Sequence, residues 1–172
     1  QMNICHRDIR TEHIMFDKNK TPKIVGFSYS SFYNKINNKN QKLNDSFGSL
    51  CYACPEIIQE MAYDPELADV WSIGVVLYAM VSGYLPFCEE DDEKTKDLIT
   101  EGKLEFPNEM TNKLKDLLKH MLDINSEKRY NFSKIIKQPW FKPYNEIIIG
   151  GCNIHKMIYP IDEKILNIIK TK

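Results

Sequence analysis

The chain has 172 residues, 42% of them hydrophobic and 27% charged, an ordinary composition for a folded domain with one hydrophobic core. Its 23 lysines and arginines nearly balance 24 acidic residues, so no global field draws it to nucleic acid or an anionic membrane. No apolar run approaches the roughly 18 to 20 residues that span a bilayer; the longest, Ile73 to Val81, is expected to be a buried helix.

In chain order, residues 13–16 and 22–25 are short apolar segments around the polar turn Asp17 to Lys20, which predicts a small hairpin. Residues 28–47 are rich in Asn, Ser and Lys and read as a long exposed loop. Asp69 to Met80 (DVWSIGVVLYAM) is apolar nearly all round and predicts a central buried helix, ended by Ser82, Gly83 and Pro86. Glu93 to Thr100 predicts a short amphipathic helix. Leu114, Leu117, Leu118, Met121 and Leu122 fall at helical spacing, and Ser133 to Lys137 forms a last short helix before Pro139. Near the end, Asp162 is placed to cap a helix striped by Ile165, Leu166, Ile168 and Ile169, with Ile161 stapling to Leu166.

The five cysteines are scattered. Cys51 and Cys54 make a C-x-x-C, but no second pair of ligands stands at zinc spacing, so reduced thiols are expected, as in cytoplasm or nucleus. The chain opens at Gln1 with neither an initiator Met nor a signal peptide, and is expected to start within a domain.

A series of motifs then runs in order. His6 to Met15 reads HRDIRTEHIM, Gly48 to Glu56 GSLCYACPE, Asp69 to Gly74 DVWSIG and Gly83 to Phe87 GYLPF; Arg129 follows, and Gln138 to Phe141 reads QPWF. Together they resemble the eukaryotic protein kinases from the catalytic loop onward, over roughly residues 4–141. The GSP-like segment, the GxLPF form and the closing PWF look most like the calcium/calmodulin-dependent and SNF1/AMPK-related serine/threonine kinases. The implied fold is a mostly α-helical C-lobe with a small β-hairpin, over residues 1–144. The small N-lobe, with its glycine-rich loop and strand lysine, is absent from this chain, and the lobe is expected to need it as a partner. The extension 145–172 is expected to hold a plain docking helix on the lobe; the alternative, from the resemblance of Pro160 to Lys170 to a first helix, is the start of a ubiquitin-associated-like domain.

The resemblance also implies roles. Asp8 stands where the family orients and deprotonates the substrate hydroxyl, and Arg10 where a lysine contacts the transferring phosphate. His13 replaces the asparagine that binds Mg2+, and Gly26, in Val25-Gly26-Phe27-Ser28, replaces the aspartate of the DFG triplet; Phe27 keeps its packing role. Mg2+ prefers oxygen ligands, so both usual protein ligands are lost. Asp45, beside Ser46, takes the place of a phosphorylated threonine and offers Arg7 a permanent negative partner, while Ser46 and Ser49 remain candidate phosphosites. Glu56 and Arg129 match a buried ion pair, Asp69 a brace for the catalytic loop, and Trp71 a packing residue under Cys54-Pro55-Glu56. Glu12 and the acidic run Glu89 to Glu93 suit a basic peptide. The implied function is a pseudokinase that binds a partner kinase or protein substrate. The alternative is an active serine/threonine kinase that uses Mg-ATP through an unusual metal site.

Overall fold

The computed structural model describes residues 3–36 and 39–142. Within them the chain is mostly helical, with three antiparallel two-stranded pairs and no larger sheet. The helix and extension expected beyond residue 144 lie outside the described residues.

The longest element is α2, Pro65–Ser82. Asp64 starts it: its carboxylate accepts from the free N–H groups of Glu66 and Leu67, and Pro65 occupies the first turn, where no donor is needed. Gly83 ends it. The helix begins four residues before the apolar run from Asp69, because the cap and not hydrophobicity sets its start. At 18 residues α2 is long and apolar enough to cross a membrane by count, yet half of it is buried inside the domain. It packs against α4, Asn112–Met121, whose Leu114, Leu117, Leu118 and Met121 are all buried. Trp71, Val70 and Val75 of α2 are fully buried in that same core, so α2 is read as a core helix.

Shorter helices surround this pair. α1, Pro55–Ile58, and α3, Asp92–Glu101, contact each other. Asp91 caps α3, Thr111 caps α4, and Asn131 caps α5, Phe132–Ile135, which starts one residue before the segment expected from the sequence.

The expected hairpin forms from β2, Ile14–Phe16, and β3, Pro22–Ile24. Asp17 builds its turn by accepting from the N–H groups of Asn19 and Thr21. The segment 28–47, expected as a loop throughout, contains paired backbone instead. β1, Ile4–Cys5, pairs with β4, Ser31–Phe32, and β5, Lys35–Ile36, pairs with β6, Lys39–Asn40. The polar composition concealed this, because these pairings satisfy backbone groups and leave little apolar pattern. The Asn40 amide also donates to Asp64 and Glu66, tying the excursion to the start of α2.

The expectation of reduced thiols fails for one pair. The turn before α1 and the loop after α2 bring the Cys51 and Cys88 Cα atoms within 5.2 Å, and the two are disulfide-bonded. Cys5 and Cys54 are free and buried.

Candidate functional site

The loop from His6 to His13 is held from below by α2. Asp69 accepts from the backbone N–H of His6 at 2.7 Å and of Arg7 at 2.9 Å. Burial pushes the Asp69 carboxyl above the usual carboxylate range, against the pull of those two donors. The brace fixes an unusual backbone, since Arg7 is left-handed at φ 66°, a conformation that costs a non-glycine residue about 1–2 kcal/mol. His6 adds a second tie: its Nε2–H donates to Val25 O at 2.9 Å while Nδ1 accepts from Asp8 N–H.

These bonds present Asp8, which is buried. Arg10 Nε lies 3.9 Å from its Oδ1 and is itself buried without a hydrogen-bond partner. Gly48 closes the other side. Its φ is 98°, and a Cβ there would sit 2.8 Å from Arg7 O and 3.3 Å from Asp8 Oδ1, so only glycine lets the later segment approach so closely. Tyr52 Oη, 3.0 Å from Thr11 Oγ1, joins that segment to the loop again.

The position facing Asp8 is filled by an imidazole. His13 Nδ1–H donates to Asp8 O at 2.7 Å and lies 3.4 Å from Asp8 Oδ2. Its ring lies over Gly26, which is left-handed at φ 84°. A Cβ on Gly26 would meet Cδ2, Cε1 and Cγ of His13 at 2.7 to 2.8 Å. The two departures from the family pattern are therefore one packing event: the ring takes the space that a side chain at 26 would need. This arrangement does not fit Mg2+, which takes oxygen ligands in near-octahedral geometry. His13 offers nitrogen, Gly26 offers no side chain, and no group of three or more His, Cys, Asp or Glu among the described residues is arranged to hold a metal. Phe27 packs one side against His6, with ring centroids 4.6 Å apart, but is 46% exposed.

Arg7 meets Asp45, as expected, together with two aromatic residues. Its Nη1 lies 3.5 Å from Asp45 Oδ2, its Nε–H donates to Tyr29 O, and its guanidinium sits 4.5 Å from the Phe47 ring centroid. Phe47 stacks on Tyr29 in turn. Asp45 is 68% exposed, so the ion pair is screened and of the class worth about 0–1 kcal/mol. The Phe47 stack was missed in the sequence; an aromatic one residue before GSL was its only signal. Asp45→Ala is expected to raise hydrogen exchange in residues 43–48 by a few-fold, with α4 unchanged, since only a weak tether is lost. An unchanged pattern would show that Phe47 and the Tyr29 carbonyl hold Arg7 without it. Ser46 is exposed and Ser49 half-buried.

Glu56 and Arg129 are buried together. Arg129 Nη2 donates to both Glu56 carboxylate oxygens, at 2.8 and 3.2 Å; Nη1 donates to Leu67 O and Nε to Asp123 O. The guanidinium lies 5.0 Å from the Trp71 ring centroid, and Phe87 stacks on Trp71 at 5.5 Å. Trp71 and Cys54 share the same core. Glu12 is exposed, and its own backbone N–H and the Thr11 hydroxyl hold its carboxyl below the usual range. Glu89 to Glu93 starts after Cys88 and runs into α3.

The chain is similar to known proteins. The protein kinase domain family matches residues 1–141. The probable serine/threonine-protein kinase HSL1 of Saccharomyces cerevisiae is 36% identical over 149 residues, 86% of this chain and 10% of its own length. The serine/threonine-protein kinase KIN4 of the same yeast is 36% identical over 153 residues, 84% of this chain and 19% of its own. CBL-interacting protein kinase 5 of Oryza sativa is 34% identical over 139 residues, 81% of this chain and 30% of its own. The chain thus spans only a tenth to under a third of these relatives. With its kinase motifs in order, its helical lobe and its braced loop around Asp8, the chain belongs to the eukaryotic serine/threonine protein kinase domain family, related to the calcium/calmodulin-dependent and SNF1/AMPK-like kinases.

Proposed function

We propose that residues 1–144 form the C-lobe of a catalytically impaired kinase domain, a pseudokinase of cytoplasm or nucleus that acts by binding other proteins. The observation that carries this reading is the His13 ring over Gly26, which removes both oxygen ligands and fills the space that one of them would occupy. The framework around it is kept: Asp69 braces the loop, and Arg129 and Glu56 pair in the core. A lobe that keeps its form without its metal ligands suits recognition of a partner kinase or a protein substrate. Glu12 and the run Glu89 to Glu93 provide acidic surface for a basic segment.

A second reading, an active serine/threonine kinase with an unorthodox metal site, is favoured by Arg10. Its guanidinium, with Nε 3.9 Å from Asp8 Oδ1 and without a hydrogen-bond partner, keeps a positive charge beside Asp8, as the handling of a phosphate requires. Phosphate transfer from labelled Mg-ATP, measured on the full-length protein with Asp8→Asn as control, separates the two. The pseudokinase reading expects no signal above the control from folded protein on a broad substrate panel. Transfer that disappears in Asp8→Asn would overturn it.

A further inference from the structure

The Cys51–Cys88 bond joins two segments that are anchored differently. Cys88 follows Phe87, which is fully buried against Trp71, and precedes Glu89, whose N–H donates to Thr95 Oγ1 at 2.9 Å. That side is fixed to α2 and α3. Cys51 is the middle residue of the single helical turn Leu50–Tyr52. The turn's backbone bonds, Tyr52 N–H to Ser49 O and Ala53 N–H to Leu50 O, close it on itself, and its tie to α2 is the Ser72 hydroxyl, which donates to Tyr52 O at 2.9 Å. It starts two residues after Gly48, whose backbone abuts Asp8, and ends at Tyr52, whose hydroxyl reaches Thr11. The disulfide therefore spans from a rigid base to the wall of the Asp8 site.

The same pair lies within reach of soluble thiols, because Cys88 is exposed and Cys51 only half-buried. The remaining described cysteines do not compete. Thiol–disulfide exchange proceeds through the thiolate. Burial pushes the Cys54 thiol up to about 12 and that of Cys5 up to about 11. Cys54 therefore stays protonated three residues from Cys51, and the C-x-x-C does not act as a redox pair of its own.

We propose that Cys51 and Cys88 form a reversible thiol–disulfide clamp that sets the rigidity of the segment walling Asp8, exchanging electrons with small-molecule disulfides and thiols of the glutathione type. In the oxidising direction the exposed Cys88 thiolate attacks one sulfur of the small disulfide and releases one small thiol. The Cys51 thiolate then attacks the Cys88 sulfur of the mixed disulfide and releases the second. Two protein thiols give up two protons and two electrons, and one small disulfide becomes two thiols. The reverse sequence opens the clamp. Its readout is structural and independent of whether the domain transfers phosphate.

The test equilibrates the full-length protein across a series of oxidised-to-reduced glutathione ratios. Samples are quenched in acid, free thiols are labelled with N-ethylmaleimide, and the peptides are mapped by mass. The expected result is a single 51–88 cross-link that forms and disappears with the ratio. Hydrogen exchange in residues 48–53 should be about tenfold faster in the reduced state, with α4 unchanged. Cys88→Ser should show the fast pattern at every ratio, which separates the clamp from a general effect of redox conditions. The proposal is overturned if both thiols persist at the most oxidising ratio, or if only glutathione adducts or other pairings form. It is equally overturned if the bond resists reduction in folded protein, or if exchange at 48–53 ignores its state.

Discussion

Arg129→Ala is expected to lower the melting temperature by roughly 10–20 °C, the largest single-residue effect in the domain. The residue is 3% exposed. It donates to both carboxylate oxygens of Glu56 and once each to Leu67 O and Asp123 O, and it covers one face of Trp71. Truncation strands the Glu56 carboxylate in the core, and breaking a buried pair in this way costs about 3–5 kcal/mol. Glu56→Ala should be severe for the converse reason, because a guanidinium is left buried with only carbonyl partners. Joint replacement by Glu56→Leu and Arg129→Leu leaves no charge behind and should cost less than the sum of the two single leucine variants. Urea denaturation followed by circular dichroism measures the cycle. Strict additivity would mean that the two residues stabilise separate parts of the fold and that their pairing contributes nothing.

This pair was legible in the sequence because kinase motifs occur in a fixed order, so a glutamate after CP and a late arginine could be matched 73 residues apart. The helices were legible for a simpler reason: Leu114, Leu117, Leu118 and Met121 repeat at helical spacing, and all four are buried. Features made by backbone or by proximity were not. The β1–β4 pairing joins Ile4–Cys5 to Ser31–Phe32 through main-chain bonds that no side-chain pattern announces. The Cys51–Cys88 contact depends on how the turn before α1 meets the loop after α2, and spacing alone favoured Cys54 as the neighbour of Cys51. At the site, the sequence marked His13 and Gly26 as two separate losses. Their coupling needed coordinates, because residues 13 and 26 meet only once β2 and β3 have paired and Val25 N–H has bonded His13 O at 2.9 Å.

That coupling predicts a non-additive rescue. Gly26→Asp alone should fail to create a Mg2+ site, since its Cβ would lie 2.7 to 2.8 Å from three atoms of the His13 ring at a backbone φ of 84°. The ring cannot simply rotate away without giving up the 2.7 Å bond from Nδ1–H to Asp8 O. This variant should therefore also be destabilised, by about 1–3 kcal/mol. His13→Asn alone clears the space and supplies an amide oxygen, but a single oxygen beside Asp8 leaves the octahedral demand of Mg2+ largely unmet. The double variant has both the space and the ligands. In the full-length protein it should bind ATP in Mg2+ at least about tenfold more tightly than either single variant, a coupling of about 1.4 kcal/mol. Titration calorimetry with and without Mg2+, on variants shown to be folded by their melting curves, reads this directly. Mg-dependent binding by Gly26→Asp with His13 in place would show that the imidazole yields and that the two positions are independent. No gain in the folded double variant would place the defect outside this pair, with Arg10 the next residue to replace because it stands where the family has a lysine on the transferring phosphate.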